Sequence, residues 1–371
     1  MSDDATGSAT AERGLAGAEQ KVASFEETDR GLVRRIQGFL HEYPTSIPFI
    51  VLLFGAVIFA FAAPGKFLAP LNLSVVLQQV TIIAILGVAQ TLVILTAGID
   101  LSVGVIMILC SVVMGRTAVV YGVPVILAFP LGLLVGLACG FVNGLIVTRL
   151  KLPPFIVTLG TWSIFGALNV WYSKSETIRQ QDMEASAPFL QITGTLIKPF
   201  QTLQSWGLQL DFLRGWVLTW GSILMLIVAV IVWYVLTKTP FGRHVYATGD
   251  DPDSARLAGI NTDRTLLAVY TLAGLICAVA GWALIGRIGG VSPQAGQTAN
   301  LDSITAVVIG GTSLFGGRGS IIGTVLGALI VGVFRNGLAL SGLELLWQDF
   351  AVGVLIIVAV TIDQWIRKIS A

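Results

Sequence analysis

The feature that most constrains this chain is a succession of long apolar runs separated by short polar or glycine-bearing connections. Ser46–Ala63, Leu73–Thr96, Ser102–Tyr121, Pro124–Thr148 and Phe155–Ser173 come first. After a polar segment follow Trp216–Leu236, Thr265–Ile288, a short run Ser303–Phe315, then Ile321–Leu340 and Phe350–Ile366. About 20 mostly apolar helical residues cross a bilayer, and in hydrocarbon only helices or closed barrels satisfy their own backbone. The runs predict an all-α integral membrane protein, a bundle of about ten transmembrane helices. Ser303–Phe315 is short and rich in glycine, so it reads equally well as re-entrant.

Composition agrees with a lipid solvent. Charged residues make up 12% of the chain, where a soluble domain carries roughly 25%. A net charge of +1 offers nothing to nucleic acid, so no such partner is expected. Cys110, Cys139 and Cys277 lie within apolar runs and read as buried small side chains, not a disulfide framework. His41 and His244 stand without cysteine or carboxylate at metal-ligand spacing. No metal or other cofactor is expected.

The chain divides at about residue 45. Residues 1–30 are polar and aperiodic, lack a secretory signal, and read as a disordered cytoplasmic tail. Within 31–43, Leu32, Val33, Ile36, Phe39 and Leu40 recur at helical spacing beside Arg34 and Arg35. That is the pattern of a helix on the inner membrane surface, or of an extension of the first span. Residues 46–368 make the transmembrane domain. Lys and Arg near span ends set orientation: Arg30, Arg34, Arg35, Arg149, Lys151, the 237–264 loop, Arg318, Arg367 and Lys368 all fall inside if both termini are cytoplasmic, against Lys66 and Arg287 outside. Segment 174–215 is then external and 237–264 cytoplasmic.

Gly132, Gly136, Gly140 and Gly144 recur every fourth residue, which keeps them on one helix face. Such a face admits a neighbouring helix closely. Gly319, Gly323 and Gly327 repeat the device. Both predict helix packing, in the bundle or between copies. "VILTAGIDLSVG" (93–104) and "VIGGTSLFGGRGS" (308–320) each break an apolar run with glycine near the inner face, which suggests a duplicated half.

The longest cytoplasmic connection holds a complete short helix signature. Asp251 is an N-cap, Pro252 suits the first helical position, and Asp253 favours the positive helix end. Ala255 and Arg256 fill the turn, Gly259 terminates it, and Ile260 is placed to pack back on Leu257. About two turns are marginal without packing, so a partner that receives this helix is expected. An ordinary interhelical loop is the plainer alternative.

Four blocks together resemble permeases of the ribose/xylose/arabinose/fructose-type ATP-binding-cassette importers. They are "AGIDLSVG" (97–104), "NGLIVTRLKLPPFIVTLGT" (143–161), "GDDPDSARLAGIN" (249–261) and "ITAVVIGGTSLFGGRGSIIGTVLGALIVG" (304–332). The resemblance runs from about Leu73 to the C-terminus. It implies a multi-pass permease subunit of a monosaccharide importer in a bacterial cell inner membrane, working by alternating access as a homodimer. It also implies a cytoplasmic ATPase subunit, a periplasmic sugar-binding protein and a periplasmic 174–215 loop. Residues 251–260 would be the coupling helix that docks into a cleft of the ATPase. "GDDPDSA" departs from the Gly-Gly-Asn start and paired alanines of many such permeases, which bears on the docking contacts. "SETIRQQD" (175–182), "GWALIGRIGGVSP" (281–293) and "IDQWIRKIS" (362–370) resemble fructose-type permeases most. Fructose is therefore the first choice of sugar, with ribose, mannose and xylose open.

No catalytic cluster is legible, and "GTSLFGGR" (311–318) lacks the Lys-Ser/Thr with which a phosphate loop grips its nucleotide. The chain reads as no enzyme, with ATP hydrolysed by a partner. Sugar passage needs hydroxyl partners and flat apolar faces. The candidates within spans are Gln78, Gln79, Gln90, Asn143, Asn169, Arg335 and Asn336, with Trp162 and Trp282 for stacking. Each also reads as a helix–helix contact, and for Asn143, beside its glycine face, that reading is preferred. The rival is an ion- or proton-coupled secondary transporter, which calls for intramembrane acidic residues. Asp100, Asp302, Glu344 and Asp363 are all expected near span ends, against that rival.

Overall fold

The computed structural model describes residues 46–205, 214–296, 298–344, 346–354, 357–358 and 361. The expected tail and surface helix of residues 1–45, and the basic C-terminal end, lie outside these. The described chain is helical nearly throughout: α1 Ser46–Ala62, α2 Pro70–Leu95, α3 Val103–Val119, α4 Val125–Leu150 and α5 Pro154–Ser173. Next come α6 Gln180–Ser186, a 3-10 turn Pro188–Gly194, α7 Pro199–Ser205, α8 Trp220–Lys238, α9 Pro240–Asp250 and α10 Pro252–Leu257. α11 Thr262–Ile288, α12 Ala299–Ile309 and α13 Ile321–Leu340 complete the named helices, and 346–354 is helical too. The only strands among the described residues are Leu196–Ile197 and Leu218–Thr219, antiparallel to each other.

Six of these helices (α2, α4, α5, α8, α11 and α13) are long and apolar enough to cross a bilayer, and α1, α3 and α12 are shorter apolar helices. The protein is an all-α integral membrane protein. Its ten apolar runs correspond to these nine helices and the 346–354 stretch, but not all are plain spans. α12, of 11 residues, is about 16 Å long at 1.5 Å per residue, half of a ~30 Å hydrocarbon core.

Each helix is buried according to its place. α3 sits at the centre, and every residue from Val103 to Ala118 is buried, as a helix apolar on all sides must be. α5 is peripheral and buries only a stripe: Val157, Thr158, Thr161, Phe165, Asn169 and Ser173. α4 meets α11 backbone to backbone. A Cβ added at Gly140 would collide with the Tyr270 carbonyl and the Gly274 backbone, and one at Gly136 with the Gly274 carbonyl and Ala278. Gly144 meets Leu267 and Gly132 meets Met114. Gly274 answers Gly136 and Gly140 from α11. Gly323 and Gly327 of α13 likewise accept α12, against Gly310 and Ala306. Gly319 does not share that face. It precedes the Ser320 cap of α13, and an added Cβ there would meet Thr312; the repeat of four begins before the helix does.

The 237–264 connection contains two helices where one was expected. The Thr239 side chain caps α9, and Pro240 opens it, the same signals that mark α10.

Candidate functional site

Two neighbourhoods gather the polar residues: the bundle interior where helices are interrupted, and the end that carries α9 and α10.

Inside, the chain leaves α2 with Ala97 at a left-handed φ of 59° and turns back into the bundle. Gln90 of α2, with its amide oriented to suit, binds both the carbonyl and the N–H of Asp100, at 3.1 and 3.2 Å. The Asp100 carboxylate accepts from the Ser102 N–H at 2.7 Å and its hydroxyl at 2.6 Å. Asn143 of α4 donates to the Ser102 hydroxyl at 2.8 Å. Thr158 of α5 donates to the Ile99 carbonyl at 3.0 Å and accepts from the Leu101 N–H at 3.2 Å. Three helices thus tie one unwound turn, and α3 starts from it. Irregular backbone at membrane depth is tolerated where protein satisfies it.

A second interruption approaches from the opposite end. α11 stops at Gly289, and Val291 pairs with Ile178 through N–H to carbonyl bonds of 2.9 and 3.0 Å. The chain then descends along α3: Val291 lies against Gly115, Gly296 against Met107, and Asn300 against Gly104. Asn169 of α5 donates to the Pro293 carbonyl at 2.9 Å, and Asn300 donates to the Leu101 carbonyl at 3.4 Å. The two unwound segments meet there, between 100–104 and 298–300.

This corrects one expectation. Asp100 and Asp302 are 2% and 8% exposed, inside the bundle, because the segments that bear them re-enter it. Their carboxylates are nonetheless engaged, Asp100 by its own turn and Asp302 by Arg335 at 2.8 Å. Arg335 also pairs with Asp349 at 3.0 Å. The guanidinium joins α12, α13 and the 346–354 helix.

The residues nominated for the sugar path do not converge. Gln90 and Asn169 pin the unwound segments, and Asn336 exchanges amide bonds with Asn72 at 2.9 and 3.1 Å. The Trp282 ring is already stacked on Phe189 at 5.5 Å with Phe129 edge-on at 4.8 Å. Trp162 is 45% exposed on the apolar outer face of α5 with Phe155 and Leu159. Gln78 and Gln79 are half-buried on α2, and Arg287 donates to the Gln79 carbonyl. Sequence reading passed over Ser102 and Thr158, whose polarity inside apolar surroundings was the available signal.

At the other neighbourhood α9 rests on the turns after α2 and α12. Gly249 leaves no room for a Cβ against the Leu95 carbonyl, and the Gly317 N–H binds that same carbonyl at 3.0 Å. Tyr246 donates to the Gly319 carbonyl at 2.9 Å; burial raises its hydroxyl above the ordinary tyrosine range. The glycine breaks at 97–98 and 316–317, read as parts of a duplicated half, meet here. α10 then stands proud. Asp251 accepts from the Asp253 and Ser254 N–H groups at 2.9 and 3.1 Å and from the Ser254 hydroxyl at 2.6 Å, and these bonds hold its carboxyl below the usual range. The far end closes with Gly259 N–H to Arg256 and Ile260 N–H to Ala255, at 2.9 and 3.0 Å, the paired bonds of a glycine-terminated helix. Arg256 binds the Thr262 hydroxyl at 2.9 Å and pairs with Asp253 at 3.1 Å. Pro252 opens the helix and Ala255 is its one buried residue. Leu257 does not pack on Ile260 as expected; it is 90% exposed.

Comparison with known proteins bears on both neighbourhoods. Residues 72–360 match the family model described as branched-chain amino acid transport system / permease component. The chain is 53% identical over 360 residues to the fructose import permease protein of Rhizobium meliloti, covering 97% of this chain and 96% of that one. It is 40% identical over 326 residues to the ribose import permease protein of Bacillus subtilis, covering 87% and 93%. With the xylose transport system permease protein of Haemophilus influenzae the identity is 33% over 365 residues, 86% and 96% of the two chains. No solved structure matches.

Proposed function

Because this chain belongs to the family of branched-chain amino acid transport system / permease components, and the relatives named above are sugar permeases, we propose that it is the membrane-spanning subunit of a monosaccharide importer of the bacterial inner membrane. Fructose is the first choice, since the relative matched over nearly the whole length at 53% identity carries that sugar in its name. ATP is hydrolysed by a separate cytoplasmic subunit, a periplasmic binding protein delivers the sugar, and a second copy of the chain completes the pathway. Both termini and α9–α10 then face the cytoplasm, and 174–215 faces the periplasm.

The observation that carries the mechanism is α10: a helix closed at both ends, tied to α9 and α11, that exposes Leu257 almost completely. An isolated two-turn helix is marginal, and an exposed leucine on it is what a receiving cleft would bury. Closure of an ATPase dimer on α10 pushes α9, and α9 bears on the turns after α2 and α12. The turn after α2 runs into the first interrupted segment, and α12 joins its own turn to the second, which precedes it, so α10 acts on the place where the unwound backbones meet. Leu257→Asp tests this. The variant should reach the membrane in normal amount, fail to co-purify with a tagged ATPase subunit, and accumulate no sugar. Undiminished ATPase capture and uptake would reduce the segment to a connection.

The ion-coupled rival loses its support for a reason other than the one the sequence suggested. Asp100 and Asp302 do lie inside, but both are engaged by fixed donors.

A further inference from the structure

Gln90, Asn169, Arg335, Asn336 and Trp282, nominated from sequence for sugar contact, are committed to other protein groups, which leaves open what a passing sugar touches. The descent from Val291 to Asn300 supplies an answer. It follows α3 from Gly115 to Gly104, about 17 Å at 1.5 Å per helical residue, so it reaches about half-way through the bilayer, with irregular backbone at 291–296 and 298 and α12 beginning at Ala299. One side is committed to protein: Val291, Pro293 and Ala299 are buried. The other side is open, with Gln294, Gly296, Thr298 and Leu301 exposed and Ser292 and Asn300 half-exposed. The side chains of Gln294 and Thr298 form no hydrogen bond among the described residues, in contrast to the engaged Gln90, Asn143 and Asn169. Hydrocarbon cannot solvate such a surface. Unwound backbone at this depth, beside the start of a half-length helix, belongs where it lines a polar cavity.

We propose that Gln294 and Thr298, flanked by Ser292 and Asn300, form the ledge over which the sugar passes, and that they set which hydroxyl pattern is carried. This rests on the sugar-permease reading above. An amide and a hydroxyl each both donate and accept, as a hydroxyl-rich ligand requires, while Leu301 offers an apolar surface to the ring carbons. Asn300, tied to Leu101, sets the ledge's inner limit where the other unwound turn meets it. A second copy of the chain covering the ledge is the alternative.

The test uses the assembled transporter with its ATPase and binding protein in vesicles or cells. In the parent, uptake of fructose, ribose and xylose is measured first; uptake of none of them would sink the sugar-permease reading itself, independently of the ledge. Given uptake, Gln294→Leu and Thr298→Val should each lower the rate at saturating binding protein about tenfold and change the fructose-to-ribose ratio. ATPase capture by α10 should stay intact, and Thr298→Ser should restore transport. Unchanged rate and ratio in both variants would overturn the ledge. As a second readout, Gln294→Cys should react with a charged water-soluble thiol reagent, against a low background because Cys110, Cys139 and Cys277 are all buried. A cysteine inert to that reagent, or one that instead links two copies by a disulfide, would assign this face to lipid or to the contact between copies and overturn the proposal.

Discussion

The α4–α11 seam and the α9–α10 pair treat side chains in opposite ways. At the seam, side chains are removed so that two backbones touch: Gly136, Gly140 and Gly274 interlock with no space for a methyl group. At α10, side chains are displayed, and the helix stands on capping bonds with Ala255 alone buried. In lipid the hydrophobic effect offers little reason for one helix to prefer another, so close van der Waals contact through small residues does that work. In water the caps hold α10 together instead, and Leu257 is left on display. A transporter needs both, a rigid scaffold through which force passes and a handle on which it acts.

The largest expected effect breaks the seam. Gly140→Leu forces a side chain into the Tyr270 carbonyl, and overpacking against backbone, which cannot move aside, should cost about 3 kcal/mol or more. Thermal aggregation of the detergent-solubilised protein, followed by size exclusion, should fall by many degrees, and membrane yield with it. Next is Ala255→Pro in α10, which removes the Ala255 N–H bond to the Asp251 carbonyl at a local cost of about 3 kcal/mol. Here the global melting point should hardly change while ATPase capture and uptake are lost. A large drop in melting point would mean that α10 belongs to the scaffold. Asn143→Ala is expected to be intermediate: it strips the Ser102 hydroxyl of its donor inside the bundle, a loss of about 1–3 kcal/mol. Stability should fall with the sugar preference unchanged; an altered preference with normal stability would move Asn143 into the pathway.

The smallest effect is that of pH on the α10 cap. The Asp251 carboxyl is held below its ordinary value of 3.8 by the Ser254 hydroxyl and by the Ser254 and Asp253 N–H groups. A depressed carboxyl contributes stability above its unfolded value and loses it as pH falls through the folded one. ATPase capture should therefore not vary through this group between pH 7.5 and 5. Asp251→Asn, which still accepts from backbone N–H groups, should keep most of the capture that Asp251→Ala loses. A capture that fades in the parent as pH drops from 7 to 5 would point to some other titrating group.

How much of this was legible is best seen helix by helix. The α4 glycine face could be read because identical small residues at a spacing of four are rare by chance and fall on one face. Its counterpart could not, since Gly274 and Gly281 stand seven apart on α11 and only packing shows that they meet Gly136 and Met107. α10 was readable from Asp251, Pro252 and Gly259 because caps are local chemistry. α9 carried an equivalent start, Thr239-Pro240 in place of Asp251-Pro252, and was passed over, its apolar residues being few. The short run at 303–315 hinted at a partial span, whereas the descent from Val291 to Asn300 gave no warning, as Val-Ser-Pro-Gln reads like any external turn.

By itself the sequence determined the solvent. Apolar length and scarcity of charge require a bilayer, and a bilayer requires helices whose backbones are satisfied within themselves. It also determined the ends of α10, because a cap is settled by residues within one turn of it. Tertiary structure alone decided which apolar faces meet lipid and which meet protein, since hydropathy is the same for both and burial of α3 on every side leaves no periodicity to read. It alone decided that Asp100 and Asp302 lie inside: the turn of 96–102 and the descent of 291–300 re-enter only because Gln90, Thr158 and Asn169 are brought within 3 Å or so of their backbone and satisfy it there, with Asn143 holding the Ser102 hydroxyl.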